Sequence, residues 1–389
     1  MRRIYLDHNA TTPLCPEVFE AMRPYLEEHF GNPSSIHAVG RRAQQAVDRA
    51  RRQVAAFLGA EPSEIVFCGS GTEADNLAVR GPFERRALDR QRGGHVVTTA
   101  VEHPAVLNSC SLLEQCHGAR VTVLPVDRFG RIDIDEAKRA IDAETVVVSV
   151  MLANNDVGTL QPVEAVADLA RRRGALFHTD AVQAAGKLPL DVSRLGVDLL
   201  SISAHKFQGP KGCGALYVRR AVVDRVAPVI AGGAQEHGLR AGTQNVAAIV
   251  GLGQACEVAG REIEGAAARM AALRDRLERE LVRQVPTAEV NGHPKLRLPN
   301  TLNISFPDVD GESLLMNLDL MGIAVSAGSA CSSGSLEPSH VLTAMGLEPA
   351  RTHHAVRFSL GRDSSEAEVD ATLAAVVEVI GRIVPVDGR

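Results

Sequence analysis

The sequence predicts an α/β protein in which a large, mostly parallel sheet is followed by a smaller α+β unit. Its 389 residues are enough for one large and one small domain. Continuous β-branched runs alternate with helical segments from residue 64 onward, and such runs are typical of a parallel sheet buried on both faces. A long helix rich in Arg and Glu, predicted at 257–284, indicates a connection between the two units.

The individual elements follow from the spacing of apolar residues. Residues 1–40 are dense in turn formers and are expected to be loops, whose polar side chains either line a cleft or only cap and turn. A helix is predicted at 40–58. The first unit then has predicted strands at 65–68, 95–99, 120–124, 145–150, 175–179, 199–202 and 215–218, and helices at 73–88, 104–117 and 163–173. The second unit has predicted strands at 302–306, 323–325 and 355–359, and helices that begin at 312 and near 364.

Composition excludes several classes of protein. Apolar residues make up 45% of the chain, which indicates a globular fold, and the formal charge of −5 gives no general attraction to nucleic acid or anionic membranes. Aromatic residues are only 3%, so base-stacking platforms are not expected. No apolar run approaches the roughly 20 residues of a membrane span, and the chain does not begin with a signal core. The seven cysteines form no Cys-x-x-Cys pair, which favours a reducing cytoplasm over a disulfide framework or a zinc site.

The chain is organised around residues 198–218. A predicted buried strand ends at Ser203, and a run of Gly and Pro residues at 209–214 then forces a tight, hairpin-like connection. Lys206 therefore lies just past a strand end, beside His205. A lysine held there suits a Schiff base with an aldehyde cofactor, whereas a solvated loop lysine is the ordinary alternative.

A glycine-rich turn between a predicted strand and a predicted helix, at 68–76, could bind phosphate. Gly69 and Gly71 let backbone N–H groups at the helix start approach an anion, and the Thr72 hydroxyl can donate a hydrogen bond. The same residues match Gly-x-Gly-x-x-Ala, a weaker form of the dinucleotide fingerprint, although no acidic residue ends the next strand. A helix start that binds no ligand is the third interpretation.

Three further polar clusters follow predicted strands, where ligands of parallel sheets bind. His103 could stack on a flat ring or move protons. Asn155 could bind a ring hydroxyl or a carboxylate. A buried Asp180 would require a cationic partner such as a protonated pyridine nitrogen, and Gln183 could reach the ring oxygen. Each also has an ordinary structural role, such as turn formation by Asn155 or helix capping by Asp180.

A cysteine in the smaller unit is a separate candidate. Cys331 stands among Gly and Ser residues at 326–335, whereas buried structural cysteines usually lie in apolar runs. It is therefore expected to be exposed, on a loop that could bring its thiolate into a cleft; a plain surface cysteine is the alternative. A Schiff-base lysine, a phosphate cradle, a stacking group and an Asp for a ring nitrogen are what pyridoxal 5′-phosphate (PLP) requires.

Two motifs together are highly specific. They are Ser-Ala-His-Lys at 203–206, followed by Gly-Pro-Lys-Gly, and Gly-Ser-Ala-Cys-Ser-Ser-Gly at 328–334. Through these motifs the chain closely resembles the cysteine desulfurases of the NifS/IscS type, a class-V aminotransferase family within the fold-type I PLP enzymes. The resemblance is nearly end to end, with further matching segments at 5–13, 31–35, 71–76, 102–103, 154–155, 178–183, 240–243 and 357–360.

The resemblance implies a fold and a division into domains. The fold would be that of the fold-type I PLP-dependent transferases, α/β, with a mostly parallel seven-stranded sheet between helices and a smaller α+β domain. The large PLP-binding domain would span 16–260. The small domain would combine 1–15 with 261–389 and carry the cysteine loop at about 326–336.

The resemblance also implies roles for single residues. Lys206 would hold PLP through a Schiff base and later move the substrate proton. Asp180 would pair with the ring nitrogen and Gln183 with the ring hydroxyl, while His103 would stack on the ring and, as a hypothesis, deprotonate a thiol. The cofactor phosphate would be held by Gly71, Thr72, Ser203 and His205, and the phosphate in the neighbouring subunit would be reached by Thr243. Asn155 would contact both cofactor and substrate, and Arg357 would bind the substrate carboxylate.

The implied reaction is the conversion of L-cysteine to L-alanine. Cys331 would attack the substrate sulfur and become a persulfide, whose sulfur passes to an iron–sulfur scaffold or a tRNA-thiolation enzyme. No metal ligand is expected, apart from contact of Cys331 with an iron–sulfur cluster. The protein would be a cytoplasmic homodimer with no nucleic-acid or membrane partner. Its end at 384–389 is expected to lack the longer tail with which housekeeping relatives engage the scaffold, so the sequence leaves the acceptor open.

Three alternatives stay open at this point. A selenocysteine lyase or another fold-type I aminotransferase would keep the cofactor site, and an aminotransferase would not need Cys331. A nicotinamide-dependent oxidoreductase could use the turn at Gly69 and Gly71, but gives Lys206 and Asp180 no role. A scaffold that has kept the fold and lost the activity is the third.

Overall fold

The computed structural model describes residues 3–327 and 338–383. A two-residue strand, β1 (Ile4–Tyr5), precedes a seven-stranded sheet. The strands of this sheet are β2 (Ile65–Cys68), β3 (His95–Thr99), β4 (Arg120–Leu124), β5 (Thr145–Ser149), β6 (Leu176–Asp180), β7 (Leu199–Ser203) and β8 (Gly214–Val218). Their order is β2-β8-β7-β6-β5-β3-β4, and neighbours are parallel except in the two pairs that involve β8. The predicted α/β fold with a mostly parallel seven-stranded sheet is confirmed.

Helices cover both faces of this sheet. They are α1 (Pro16–Glu27), α2 (Ala38–Leu58), α3 (Gly71–Leu88), α4 (Pro104–His117), α5 (Ile134–Ala140), α6 (Val163–Arg172), α7 (Val192–Leu195) and α8 (Val246–Gln284). One face packs against α1, α2, α6 and the start of α8, and the other packs against α3 and α4. The β-branched runs that predicted the strands are buried because both faces are covered.

A second, smaller sheet has its own core. Its region contains β9 (Glu289–Asn291), β10 (Thr301–Ser305), β11 (Ile323–Ala324), β12 (Ser326–Ala327) and β13 (Ala355–Ser359), with α9 (Gly311–Leu320), α10 (His340–Ala344), α11 (Pro349–His353) and α12 (Glu366–Ile383). Four strands form an antiparallel sheet of order β12-β13-β10-β9, while β11 pairs in parallel with β1. Helix α8 contributes Leu252 to the core of the large sheet and Leu277 to that of the small one. The predicted domain limits at 16–260 and 261–389 stay a prediction.

Several parts of the chain are more helical than the sequence indicates, since it does not predict α5, α7, α10 or α11. Residues 16–27 form α1, although the first 40 residues are expected to be loops. Helix α8 begins at Val246 instead of residue 257. Its first turns are apolar on most sides because they are buried against α1 and α2, and they carry two glycines that otherwise suggest turns. A Cβ on Gly251 would lie 2.6 Å from Met22 Sδ, and one on Gly253 would lie 2.7 Å from Ala50 Cα, so these glycines permit close helix packing.

Two further findings concern the described residues as a whole. None of their helices combines the length and the apolar character that crossing a bilayer requires. Six of the seven cysteines lie in this part of the chain, and none of the six is in a disulfide.

Candidate active site

A cavity of about 290 Å³ lies at the edge of the large sheet where β2, β3, β5, β6 and β7 end. Because these strands run in the same direction, their carboxyl ends share one edge, which is where parallel sheets bind ligands. Ten of the sixteen lining residues were singled out from the sequence: Gly71, Thr72, His103, Asn155, Asp180, Gln183, Ser203, His205, Lys206 and Arg357. The other six are Asn9, Ala10, Ser70, Asp75, Met151 and Val182.

Lys206 lies on a single 3₁₀ turn directly after β7. Its Nζ donates to the backbone carbonyls of Asn9 at 2.7 Å and Ala10 at 2.9 Å. The N-terminal segment is held against this turn, because both the backbone N–H and the hydroxyl of Thr12 donate to the His205 carbonyl. The amine is thus oriented into the cavity by a segment that is almost 200 residues away in sequence.

Asp180 is the last residue of β6 and is buried. Its Oδ1 accepts from the Val182 backbone N–H at 2.8 Å, and it forms no ion pair within residues 3–327 and 338–383. Burial raises the pKa of Asp180, although His103 and Lys206 oppose the shift. A carboxylate in this position is stabilised by a cation brought into the cavity.

The start of α3 forms a concave wall of backbone N–H groups. Ser70 caps the helix by accepting the Glu73 N–H at 3.0 Å, so the cavity meets the first turn of an 18-residue helix. A Cβ at Gly71 would lie 2.8 Å from Val182 Cγ2 and 3.2 Å from Ser203 Cβ, so the wall fits only glycine closely. A helix N-terminus of this kind attracts an anion. The strand that leads to it, β2, is an edge strand next to antiparallel β8, unlike the central strand of a dinucleotide-binding sheet.

The two histidines of the cavity are held in their neutral forms. His103 caps α4, with Nδ1 accepting the Ala105 backbone N–H at 3.1 Å, and its neutral ring therefore carries the proton on Nε2. Burial lowers the pKa of His103, and Lys206 lowers it further while Asp180 opposes. Burial and Lys206 lower the pKa of His205 to about 4, and its Nδ1 lies 3.1 Å from Thr11 Oγ1.

Arg357 enters the cavity from β13 of the small sheet. The residue is 2% exposed, and its guanidinium donates to Asp7 Oδ1 at 2.8 Å and to the Asn155 carbonyl at 3.1 Å. Its buried Nε has no hydrogen-bond partner among the described residues. A buried guanidinium with an unsatisfied N–H suits a carboxylate ligand.

Two predicted residues are not part of this cavity. Thr243 is exposed and does not line it. Cys331 lies outside the described residues, as does most of the predicted cysteine loop at 326–336. The described residues on both sides lie beside the cavity: Ser326 pairs with Arg357 in the small sheet, and His340 Nε2 lies 2.9 Å from the carbonyl of Glu102.

Sequence reasoning missed the N-terminal contribution. The only signal was the density of polar turn formers at 5–13, which left open whether they line a cleft. In the structure Asp7 holds Arg357, and the Asn9 carbonyl accepts from both Lys206 Nζ and Gln183 Nε2. Asp75, which was also missed, is buried close to Asp180. Its pKa is raised, mainly by burial and in second place by the Asp180 carboxylate.

Comparisons with known proteins agree with this geometry. Residues 4–372 match the family model described as aminotransferase class-V. The chain is 50% identical over 383 residues to a cysteine desulfurase from Trichormus azollae, which covers 98% of this chain and 94% of the relative. Among solved structures it resembles a NifS-like protein with a TM-score of 0.90 and 39% identity, covering 98% of this chain and 100% of that one. It also resembles SspA in complex with cysteine, with a TM-score of 0.80 and 36% identity, covering 93% and 100% of the two chains.

Proposed function

The chain belongs to the class-V aminotransferase family, and on that premise we propose that it is a PLP-dependent cysteine desulfurase. The relative named above carries the same activity in its name, and a similar structure contains cysteine. The observation that carries the proposal is the convergence of Lys206, Asp180, Gln183 and Arg357 on one cavity. The reaction is the conversion of L-cysteine to L-alanine, with the sulfur retained on Cys331 as a persulfide.

The cavity fits PLP on the chemistry of its own groups. Asp180 is a buried carboxylate without an ion pair in the described part of the chain, which suits a protonated ring nitrogen. The start of α3, with Gly71 packed too tightly for a side chain, suits a phosphate, together with Thr72, Ser203 and His205. When bound, PLP supplies an aldehyde carbon that amines attack reversibly and a ring that withdraws electrons from the substrate.

Lys206 would be the amine that holds the aldehyde carbon and later moves the substrate proton. The carbonyls of Asn9 and Ala10 orient its Nζ. The amine is therefore in position before the reaction, and the long side chain does not have to be reoriented first. Asp180 would keep the proton on the ring nitrogen, and Gln183 would donate to the ring hydroxyl. His103 would stack on the ring.

Arg357 takes the carboxylate of L-cysteine, with Asn155 beside it. The guanidinium is fixed by Asp7 and by the Asn155 carbonyl, so its orientation is set before the substrate arrives. A planar guanidinium matches a carboxylate in two parallel hydrogen bonds.

The sulfur step balances without an external oxidant. The Cys331 thiolate attacks the substrate sulfur, a sulfur–sulfur bond forms and the carbon–sulfur bond breaks. The electron pair of the broken bond stays on carbon, which takes a proton and becomes the methyl group of alanine. His103 would accept the thiol proton on Nε2 in its Nδ1–H tautomer, which requires Nδ1 to give up its contact with the Ala105 backbone N–H.

The remaining parts of the proposal concern the assembly. The protein acts as a homodimer in which Thr243 reaches the phosphate of the neighbouring subunit, which accords with its exposure in the single chain. The persulfide passes to an iron–sulfur scaffold or a thiolation enzyme in a reducing cytoplasm. The six cysteines of the described part are all free, as such a compartment requires.

One set of measurements tests the function. The purified protein should absorb visible light through bound PLP, form alanine from L-cysteine, and carry one added sulfur on Cys331 by mass spectrometry. Lys206→Ala should lose the covalently bound cofactor and the activity. Cys331→Ser should lose the persulfide, whereas Cys116→Ser, which changes an exposed cysteine, should match the wild type. Full alanine formation by Cys331→Ser would refute the sulfur step, and a wild type that binds no PLP would refute the function.

A further inference from the structure

Lys187 is a buried lysine just beneath the candidate active site. The chain contains only five lysines among its 42 basic residues, and this one is 4% exposed. Its Nζ donates to the side-chain Oε1 and to the backbone carbonyl of Gln183, both at 3.0 Å. A buried amine needs such acceptors, and both of them belong to one residue of the cofactor site.

The contacts of Gln183 fix the orientation of its side-chain amide. A backbone carbonyl can only accept, so the amide atom 2.9 Å from the Asn9 carbonyl must be the nitrogen. A lysine ammonium can only donate, so the atom facing Lys187 must be the oxygen. The two contacts agree, and within residues 3–327 and 338–383 the second N–H of Nε2 has no acceptor, on a residue that lines the cavity.

The charged groups around Lys187 make this position costly for a cation. The groups that act on it or respond to it are His8 from the N-terminal segment, His205 and Lys206 from the turn after β7, and Arg357 from β13. Burial, with Lys206 and Arg357, lowers the pKa of Lys187 to about 7. An apolar side chain of similar length would fill the space without this cost, so the donated hydrogen bonds are what the lysine specifically provides.

We propose that Lys187 is a positioning residue that holds the Gln183 amide with its free N–H directed at the ring hydroxyl of the cofactor. The inference rests on the proposed PLP site and adds a residue that does not itself line that cavity. Without the lysine, the Gln183 oxygen loses its donor and only the Asn9 carbonyl still holds the amide. The N–H directed at the ring oxygen would then be held less firmly in place.

The test uses the full-length protein in four variants: Lys187→Met, which has no donor; Lys187→Gln, which keeps an N–H donor without the charge; Gln183→Ala; and the double variant of Gln183→Ala with Lys187→Met. Lys295→Met is the matched control, because that lysine is exposed. Two quantities are measured apart from turnover: the affinity of the cofactor-free protein for PLP, and the pH midpoint of the visible absorption of the bound cofactor. Thermal unfolding is recorded for each variant.

Lys187→Met should weaken PLP binding about tenfold. It should also raise the spectral midpoint by about one pH unit, because a ring oxygen that loses the Gln183 donor favours the protonated form of the bound ring. Lys187→Gln should retain more of the wild-type affinity than Lys187→Met. In the Gln183→Ala background, Lys187→Met should add no further change, since its effect passes through that amide.

The inference is overturned if Lys187→Met leaves both affinity and midpoint unchanged, or if its effect is equally large without Gln183. A change in thermal unfolding alone would mean that the lysine is merely structural. Should Lys187→Met not fold, the comparison of Lys187→Gln with Gln183→Ala decides the matter, because a positioning role requires both to shift the midpoint in the same direction. If the wild type binds PLP and the variants have the same affinity and midpoint, only this inference is refuted. If the wild type binds no PLP, the proposed function is refuted as well.

Discussion

Replacement of Gly71 by alanine probes the wall that the start of α3 presents to the cavity. The methyl group would lie 2.8 Å from Val182 Cγ2, 3.2 Å from Ser203 Cβ and 3.7 Å from Ser203 Oγ. The first of these distances is well inside van der Waals contact, so Val182 must move. Val182 and Ser203 both line the cavity, and the Val182 N–H binds Asp180, so the movement reaches the cofactor contacts directly.

The magnitude follows from two separate effects. Overpacking of a well-filled site typically costs about 1–3 kcal/mol of unfolding free energy, and the lower end applies here because one methyl group can be relieved by a rotation of Val182. Displacement of a hydrogen bond to the phosphate would cost a further 1.5–3 kcal/mol or so of binding free energy. We therefore expect PLP affinity to fall about ten- to a hundredfold.

The assay is titration of the cofactor-free protein with PLP, followed by absorbance, together with denaturant unfolding. Gly265→Ala is the matched control: this exposed glycine lies inside α8, and an added Cβ meets nothing within 4 Å. It should leave PLP affinity unchanged and raise stability by about 0.5–1 kcal/mol through helix propensity. If Gly71→Ala binds PLP as tightly as the wild type, the start of α3 is not the phosphate site and the reasoning fails.

Three further predictions test other parts of the site. Arg357→Lys should raise KM for L-cysteine about tenfold while the spectrum of bound PLP stays the same, because a single ammonium replaces a two-pronged contact; an unchanged KM would remove the arginine from the carboxylate site. Mixed subunits of Thr243→Ala and Lys206→Ala should regain activity that neither variant has alone, as one complete site forms per dimer; no gain on mixing would contradict a shared site. Burial lowers the pKa of His178 to about 3, so its folded form resists protonation and the stability it supports is lost as pH falls from about 6.5 toward 3. His178→Gln should flatten that part of a plot of unfolding free energy against pH, and an identical slope would mean that other groups control acid unfolding.

The strand ends carry most of what could be predicted about the site. Asp180 ends a strand, and His103, Asn155 and Lys206 follow strands, whose β-branched or apolar runs are all visible in the sequence. Parallel strands place their carboxyl ends at one edge, so local pattern alone brings these residues together. The structure bears out that juxtaposition, while their individual chemical roles stay proposals.

The residues that sequence reasoning missed are those whose function depends on distant contacts. Lys187 follows Gln183 by four residues, but only the fold shows that it is buried and directed at that amide. Likewise, the sequence at the start of α8 is an apolar stretch with glycines, which does not predict a helix. Only its packing against α1 and α2 explains why it is helical. Neither local propensity nor periodicity carries information about such neighbours, since both depend on side-chain packing between segments far apart in the chain.

The N-terminal segment joins the two sheets at the candidate site, and this explains why the site needs both. Asp7 fixes Arg357, a residue of the small sheet 350 positions away, while the Asn9 carbonyl accepts from Lys206 and Gln183 of the large sheet. The substrate's carboxylate anchor and the cofactor's lysine are therefore positioned by neighbouring residues of one short segment. Since the His8 and Asn9 N–H groups also donate to Ser359 of β13, a shift of the small sheet relative to the large one must move the arginine and the lysine contacts together.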